Sequence, residues 1–193
     1  ETPTLSEVAN TPQGTLGLNR SLTPSKTKSF ELIYRKKKQW GMALLSLELS
    51  AFISDTSGEL LPYELEAFPG RQFFNNSGVS KRKGIESQWR IQHGIWEWSS
   101  SYTWANYLFK TPNNTNIKGN RLPGIPDQQL QSELTIKLPF HAVLKLQYHY
   151  VGTLMANNSN SVSVDPYRLI NTSVFKDFNM SWGQFRLFAG LNY

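Results

Sequence analysis

The chain has 193 residues, a formal net charge of +6 at pH 7 and no cysteine. The lack of cysteine excludes disulfides, thiolate metal sites and cysteine nucleophiles. No apolar run approaches the roughly 18 residues that a membrane-spanning helix requires. The lysine and arginine residues are spread over many segments, whereas a nucleic-acid-binding protein gathers them on one face, so we predict no nucleic-acid partner.

In chain order, residues 1–26 are rich in Thr, Pro, Asn, Gly and Ser and predict a loop, with one helical turn at residues 5–8. Most of the remaining chain alternates between apolar and polar residues, as a strand with one apolar face does. The clearest example is residues 42–53, where leucine and alanine alternate with serine and glutamate. The predicted strands cover residues 27–38, 42–53, 71–92 with a bulge near Gly78, 95–109, 128–138, 142–153, 167–176 and 184–193.

The connections between these strands alternate in length. The long ones cover residues 1–26, 55–70, 110–126 and 154–166. The short turns lie at residues 36–41, 93–94, 139–141 and 178–183. About eight antiparallel strands with long loops at one end and short turns at the other are typical of an outer-membrane β-barrel. We therefore predict an all-β fold, an antiparallel transmembrane barrel segment in the bacterial outer membrane, with the long loops outside the cell.

The two faces of the predicted strands differ in character. Leucine and aromatic side chains such as Trp96, Trp98 and Trp104 share one face, as expected of a surface that contacts outer-membrane lipid. The alternative interpretation is that these aromatic residues form the core of a soluble β-sandwich. Charged residues occupy the other face, which we expect to line a water-filled interior: Glu31, Glu48, Glu86, Arg90, Glu133, Lys145 and Arg186.

A series of short motifs, each weak alone, lies at residues 1–4, 19–27, 29–31, 84–86, 120–126, 156–158 and 167–171. Their order and spacing resemble those of TonB-dependent outer-membrane receptors of the siderophore or iron-complex type, in the C-terminal part of the β-barrel. The resemblance covers almost the whole chain. It implies a 22-stranded barrel plugged by an N-terminal domain, which imports scarce nutrients, most often iron bound to siderophores, with energy passed through TonB.

By this resemblance, residues 1–193 are a partial receptor barrel domain that lacks the plug domain, the TonB box and the closing strand. We expect a monomer in the outer membrane that contacts TonB only through the absent plug and TonB box. Strands 27–38 and 184–193 would leave unpaired backbone groups in lipid, where each costs several kcal/mol. We therefore expect no independent transport by residues 1–193 alone.

Four candidate ligand-binding residues lie in one predicted loop and at the start of the next strand. Tyr63, Phe68, Arg71 and Phe73 combine a cation with aromatic rings, which suits an anionic, aromatic-rich iron chelate through charge-assisted hydrogen bonds and stacking. Packing of a long loop by its own side chains is the other interpretation. The ligand class stays open among catecholate and hydroxamate siderophores, haem, cobalamin and sugars.

Other classes of protein have less support. A small eight-stranded structural or porin-like outer-membrane barrel, the alternative function, requires a sheet closed on itself. A lipocalin-like binder would place its apolar residues inside, and Gly94-Ile95-Trp96 matches its GxW motif only in mid-chain. No GxSxG, HExxH or P-loop motif occurs, and His93, His141 and His149 lack metal-ligand spacing. We predict no enzyme, no catalytic or metal site and no cofactor.

Overall fold

The computed structural model describes residues 2–9, 11, 18–65, 67–76, 78–112 and 117–193, so parts of the predicted loops 1–26 and 110–126 lie outside the described residues. No helix in the described part of the chain has the length and apolar character needed to cross a membrane. The elements are α1 (Leu5–Val8), β1 (Lys26–Trp40), β2 (Ala43–Ser57), β3 (Leu60–Glu64), β4 (Gln72–Asn76), β5 (Gly78–His93), β6 (Trp96–Pro112), β7 (Gln128–Lys137), β8 (Ala142–Val151), β9 (Leu154–Met155), β10 (Ser163–Val164), β11 (Tyr167–Met180) and β12 (Gly183–Asn192).

Eight of the strands form one antiparallel sheet in the order β1-β2-β5-β6-β7-β8-β11-β12. Every neighbour in this sheet is also the next long strand along the chain, as in an up-and-down barrel wall. The single sheet is therefore confirmed, with one of its strands in each of the eight predicted segments. The predicted helical turn at residues 5–8 is confirmed as α1, where Thr4 and Glu7 form a capping box.

The first short turn is tighter than predicted. Residues 36–41 were expected to turn, but β1 continues to Trp40 because Lys36 and Lys38 remain paired with Leu47 and Leu45 of β2. The reversal itself needs only two residues, and Gly41 has a φ of 58° there. Glycine adopts this left-handed conformation at little cost, which allows the two-residue connection that hairpins favour.

The expected single strand 71–92 is wrong. Its first part is β4, which pairs with β3 in a separate two-stranded hairpin, and β3 lies within the predicted loop 55–70. β4 ends at Asn76 and β5 begins at Gly78, whose φ is 87°. The predicted bulge near Gly78 is confirmed as a register shift between Val79 and Ser80.

The strand register separates the sheet into two faces. Paired residues of antiparallel strands point to the same side, so Arg35, Glu48, Gln88 and Ser101 form one row across four strands. We call this side the polar face; it lines a trough between β1 and β8. The opposite side is the apolar face, and its residues include Leu45, Leu47, Leu49, Ile85, Trp89, Trp98, Trp104, Leu134, Leu144, Leu146 and Leu187.

Within the described residues, β1 pairs only with β2 and β12 only with β11, so the sheet does not close. It therefore lacks the closed ring of strands that a small eight-stranded barrel requires. Large apolar side chains stay uncovered, with Leu32 67% and Leu187 60% exposed. An apolar face of this extent would be unfavourable in water, whereas a surrounding apolar phase would match it.

Candidate functional site

The candidate site lies at the long-loop end of the sheet, on the hairpin formed by β3 and β4. Glycines flank this hairpin, and the amide of Gly58 donates to the carbonyl oxygen of Gly78 at 2.7 Å. This bond closes the base of the hairpin where β2 ends and β5 begins. Tyr63 lies opposite Phe73 in the hairpin ladder, so their side chains share one side.

An ion pair fixes the root of the hairpin against the polar face. The carboxylate of Glu59 accepts hydrogen bonds from Ser80 and Arg82, two polar-face residues of β5. The Arg82 guanidinium lies 5.6 Å from the ring centre of Tyr107, which meets Phe52 edge-on at 6.2 Å. The root of the hairpin is therefore attached to the polar face of the sheet and not to the apolar face.

A small apolar core covers this root. Leu61 of the hairpin packs with Phe109 of β6 and with Leu122, and all three are buried. Ile117 and Ile125 pack around them from the loop before β7. The segment carrying Leu122 runs beside β6, because the Leu122 amide donates to the Tyr107 carbonyl oxygen at 2.9 Å. Two loops from separate strand connections thus share one core.

The structure brings all four predicted ligand-binding residues together. Phe73 lies 6.0 Å from Tyr63 and 5.8 Å from Phe68, measured between ring centres. The Arg71 guanidinium lies 5.9 Å from the centre of the Phe68 ring and 5.5 Å from that of Phe73. We call these four residues the Arg-aromatic cluster. Phe73 is fully buried, whereas the other three are half-buried and reachable from solvent.

The segment before β1 is hydrogen-bonded to the end of the hairpin. The Asn76 amide nitrogen donates to the carbonyl oxygens of Thr23 and Gly58, at 2.9 and 2.7 Å. The Thr23 amide donates back to the Asn76 side-chain oxygen at 2.9 Å. One asparagine therefore links the segment before β1 to both ends of the hairpin region, which limits the number of positions that the cluster can adopt.

A second pair of loops is joined in the same way. The Arg121 amide donates to the Asn160 side-chain oxygen at 2.7 Å, and the Asn160 side chain donates to the Arg121 carbonyl oxygen at 2.9 Å. Asn120 reaches the carbonyl oxygen of Asn158 at 3.0 Å. The Arg121 side chain contacts Asp127 at 3.2 Å. The loop before β7 and the loop after β8 therefore form a single docked unit.

The polar face below the site carries charges of both signs in pairs. Glu133 accepts from Lys145 at 3.0 Å and from Gln147 at 2.8 Å, and Arg35 donates to Glu48 at 2.6 Å. This confirms that the charged residues of the predicted interior share one side of the sheet. In the described ranges, no group of three or more His, Cys, Asp or Glu residues could hold a metal ion.

The sequence pattern missed Glu59, Arg82 and Tyr107. A signal for Arg82 existed, because alternation with Gly84 and Glu86 places it on the polar face. No local pattern indicates Glu59, which pairs with a residue 23 positions later only after the hairpin has folded. These residues position the cluster and do not belong to it.

We predict that Glu59→Gln loosens the hairpin while the sheet stays folded. Glutamine has the same size but loses the charge that pairs with Arg82, whose Nε is already buried without an acceptor among the described residues. Loss of this partner should cost about 1–2 kcal/mol locally. Hydrogen exchange of residues 60–76 should accelerate about tenfold. Glu97→Gln, which removes a longer and more exposed pair with Arg90, is the control, and unchanged exchange in Glu59→Gln would contradict the prediction.

Comparison with known proteins assigns the fold to a family. A family model described as TonB dependent receptor-like, beta-barrel matches residues 1–192. The chain belongs to this family of TonB-dependent receptor barrels. Such barrels lie in the outer membrane of Gram-negative bacteria and serve as transport receptors, not enzymes. The predicted family and location are thus confirmed, and the soluble sandwich and lipocalin alternatives do not apply.

Similar solved structures have the same arrangement of strands. BauA, the ferric preacinetobactin receptor from Acinetobacter baumannii, aligns with 88% of this chain at 18% identity and a TM-score of 0.68. The unliganded ferric citrate transporter FecA aligns with 88% of the chain at 19% identity and a TM-score of 0.69. FyuA, the ferric yersiniabactin uptake receptor from Yersinia pestis, aligns with 86% at 13% identity and a TM-score of 0.61. The chain covers 25%, 26% and 29% of these proteins, respectively.

Proposed function

We propose that residues 1–193 form part of the barrel of an outer-membrane receptor that imports a ferric siderophore or another iron complex with energy supplied through TonB. Membership of the TonB-dependent receptor family supports import of a nutrient. Three proteins with similar structures are named as receptors or transporters of ferric complexes. The observation that carries the proposal is the Arg-aromatic cluster, held on an anchored hairpin at the long-loop end.

In this proposal the cluster makes the first contact with the iron complex. The Arg71 guanidinium offers planar N–H donors to the carboxylate or phenolate oxygens of an anionic chelate. The rings of Phe68 and Phe73 restrict its orientation, since each lies within 6 Å of the guanidinium. Tyr63 and Phe68 provide ring surface for aromatic parts of the ligand. Phe73 is buried and supports the other three without touching the ligand.

The hairpin is positioned so that an iron complex bound by the Arg-aromatic cluster would lie above the space that the polar face lines. Its root is bound to Ser80 and Arg82 on the polar face, so a ligand held by the cluster lies over the inner side of the sheet. From there the polar face offers a hydrated wall of paired charges such as Glu133 with Lys145. We propose that the long loops face outside the cell, that TonB acts through a plug domain and TonB box, and that the receptor is a monomer.

Substitution of Arg71 and Tyr63 by alanine in the full-length protein tests the site. With radioactive iron loaded on a panel of catecholate, hydroxamate and citrate chelators, the Arg71→Ala/Tyr63→Ala variant should need about tenfold more of its preferred complex for half-maximal uptake. Maximal uptake should change little, because transport steps after binding remain. Arg20→Ala removes an exposed arginine from the neighbouring segment and serves as the charge-matched control.

Two kinds of failure are distinguishable in this experiment. If the unmodified protein takes up no iron complex, or takes one up equally well in a strain without TonB, the proposed function is wrong. If the unmodified protein transports a complex and the double variant shows the same half-maximal concentration for every chelate, the Arg-aromatic cluster is not the binding site. Immunoblots of outer-membrane fractions check that the variants are present in equal amounts, and heat-modifiable migration in gels checks that they are folded.

A further inference from the structure

Five lysines interrupt the apolar face at its long-loop end. The register shows that the lysines of β1 and β5 share one side, because Lys28 lies opposite Asp55 and Asp55 lies opposite Lys81 in adjacent ladders. Two residues further along the same side, Lys83 follows Lys81 on β5. Lys110 lies at the register shift of β6 and is assigned to this side by its 3.9 Å contact with Asp55. We call the set the lysine patch, and its members are Lys26, Lys28, Lys81, Lys83 and Lys110.

The patch has a strong excess of positive charge. Asp55 is the one acidic residue of the described chain on this part of the apolar face, and its carboxylate lies 3.9 Å from the Lys110 ammonium. Four of the five lysines are exposed, and Lys81 is half-buried. The described residues thus place five cations and one anion at the end of four adjacent strands, β1, β2, β5 and β6.

The dimensions of the patch follow from sheet geometry. Neighbouring strands lie about 4.8 Å apart and residues advance by about 3.3 Å along a strand, so the patch spans on the order of 10–15 Å in each direction. A phosphorylated disaccharide has a comparable extent. Because the ammonium groups are carried on long flexible stems, they can converge on separate phosphate groups of one such molecule.

The height of the patch matches the head-group layer of a membrane. Towards the middle of the strands, the same face continues with apolar residues such as Phe30, Leu32, Ile53 and Ile85. The lysines therefore lie just beyond the apolar band, where a barrel surface meets lipid head groups. The corresponding ends of β7, β8 and β11 carry Gln128, Tyr150 and Arg168, so the charge is concentrated on one half of the sheet.

We propose that the lysine patch binds the phosphate groups of an outer-leaflet glycolipid, the phosphorylated disaccharide of lipopolysaccharide. The inference rests on the membrane orientation in the proposed function, with the long loops outside the cell. Each ammonium donates charge-assisted hydrogen bonds to phosphate oxygens, and several bound together confer affinity that a single exposed lysine lacks. The site lies outside the barrel wall and is separate from the Arg-aromatic cluster.

Titration with purified lipid A tests the patch. The full-length protein in a neutral detergent is titrated with fluorescent lipid A that carries both phosphates. Replacement of Lys26, Lys28, Lys81 and Lys83 by glutamine should raise the Kd at least about tenfold. The matched control is Lys36→Gln/Lys38→Gln, which removes charges from the same face of β1 at its short-turn end and should leave the Kd within about twofold.

Further measurements separate phosphate recognition from general charge effects. The unmodified protein should bind dephosphorylated lipid A and phosphatidylglycerol more weakly than lipid A, and millimolar inorganic phosphate should not displace the glycolipid. Equal loss of affinity in the control pair, or an unchanged Kd in the fourfold variant, would overturn the proposal. The single variant Lys83→Gln provides the same comparison if the fourfold variant does not fold. Iron uptake is not measured here, so the import proposal stands or fails separately.

Discussion

Replacement of Leu146 by lysine should destabilise the folded barrel in a lipid bilayer by about 2–4 kcal/mol. Leu146 lies midway along β8 on the apolar face, paired with Leu134 of β7 and Thr172 of β11. At this depth the new ammonium must enter hydrocarbon or reach for the interface with its stem, and both are costly. Leu47→Lys on β2 should have an effect of the same sign, because Leu47 is also on the apolar face beside Trp89.

The adjacent residue supplies the control for this prediction. Gln147 occupies the polar face and donates to Glu133 at 2.8 Å, so a lysine there gains an acidic neighbour and stays in water. Gln147→Lys should change stability by less than about 0.5 kcal/mol. The measurement is urea-dependent refolding of the full-length protein into lipid vesicles. A greater loss in Gln147→Lys than in Leu146→Lys would contradict the assignment of the two faces.

Replacement of Gly84 by valine should destabilise the protein by about 2–3 kcal/mol. Gly84 is a buried residue of β5 on the polar face. A Cβ atom there would lie 2.5 Å from the Phe52 ring and 2.6 Å from the carbonyl oxygen of Trp104. The ring could move, but the carbonyl belongs to the backbone of β6. Displacement of Phe52 would also disturb Tyr107, which meets it edge-on.

Two further variants make this prediction specific. Gly183→Ala introduces a Cβ with no atom within 4 Å and should change stability by less than about 0.5 kcal/mol. Adding Phe52→Ala to Gly84→Val should recover part of the loss, because it removes the ring contact and leaves the clash with the Trp104 carbonyl. The same refolding assay measures all three. If Gly84→Val and Gly183→Ala had equal stabilities, the close packing at Gly84 would not exist in solution.

Most of the sheet follows from the sequence. Because side chains alternate with a period of two, the sequence of each strand shows which residues contact the apolar phase and which contact water. Residues 42–53 show this alternation, and the structure places Leu45, Leu47 and Leu49 on one side and Ser46 and Glu48 on the other. The alternation of long and short connections then determines which strand ends lie together.

The limits of the strands and the facing of β11 could be determined only from the tertiary structure. Backbone pairing can continue where the alternation stops, so β1 extends through its lysines and β2 extends to Ser57. In β11 the pattern does not decide the face, because Phe175 and Phe178 lie on opposite sides. Pairing with β12 decides it: Asp177 lies opposite Arg186 on the polar face, and that guanidinium lies 4.6 Å from the centre of the Phe175 ring.

The candidate site, too, was predicted from the sequence only in part. Composition alone indicated Tyr63, Phe68, Arg71 and Phe73, because a cation among aromatic rings suits an anionic, aromatic-rich chelate. Only the folded hairpin shows that Phe73 is buried, that Arg71 lies beside two rings, and that Glu59 holds the root through Arg82. Contact with lipid on one face and water on the other produces an alternation along each strand that can be read in the sequence. The contacts of the site join distant segments and produce no such local pattern.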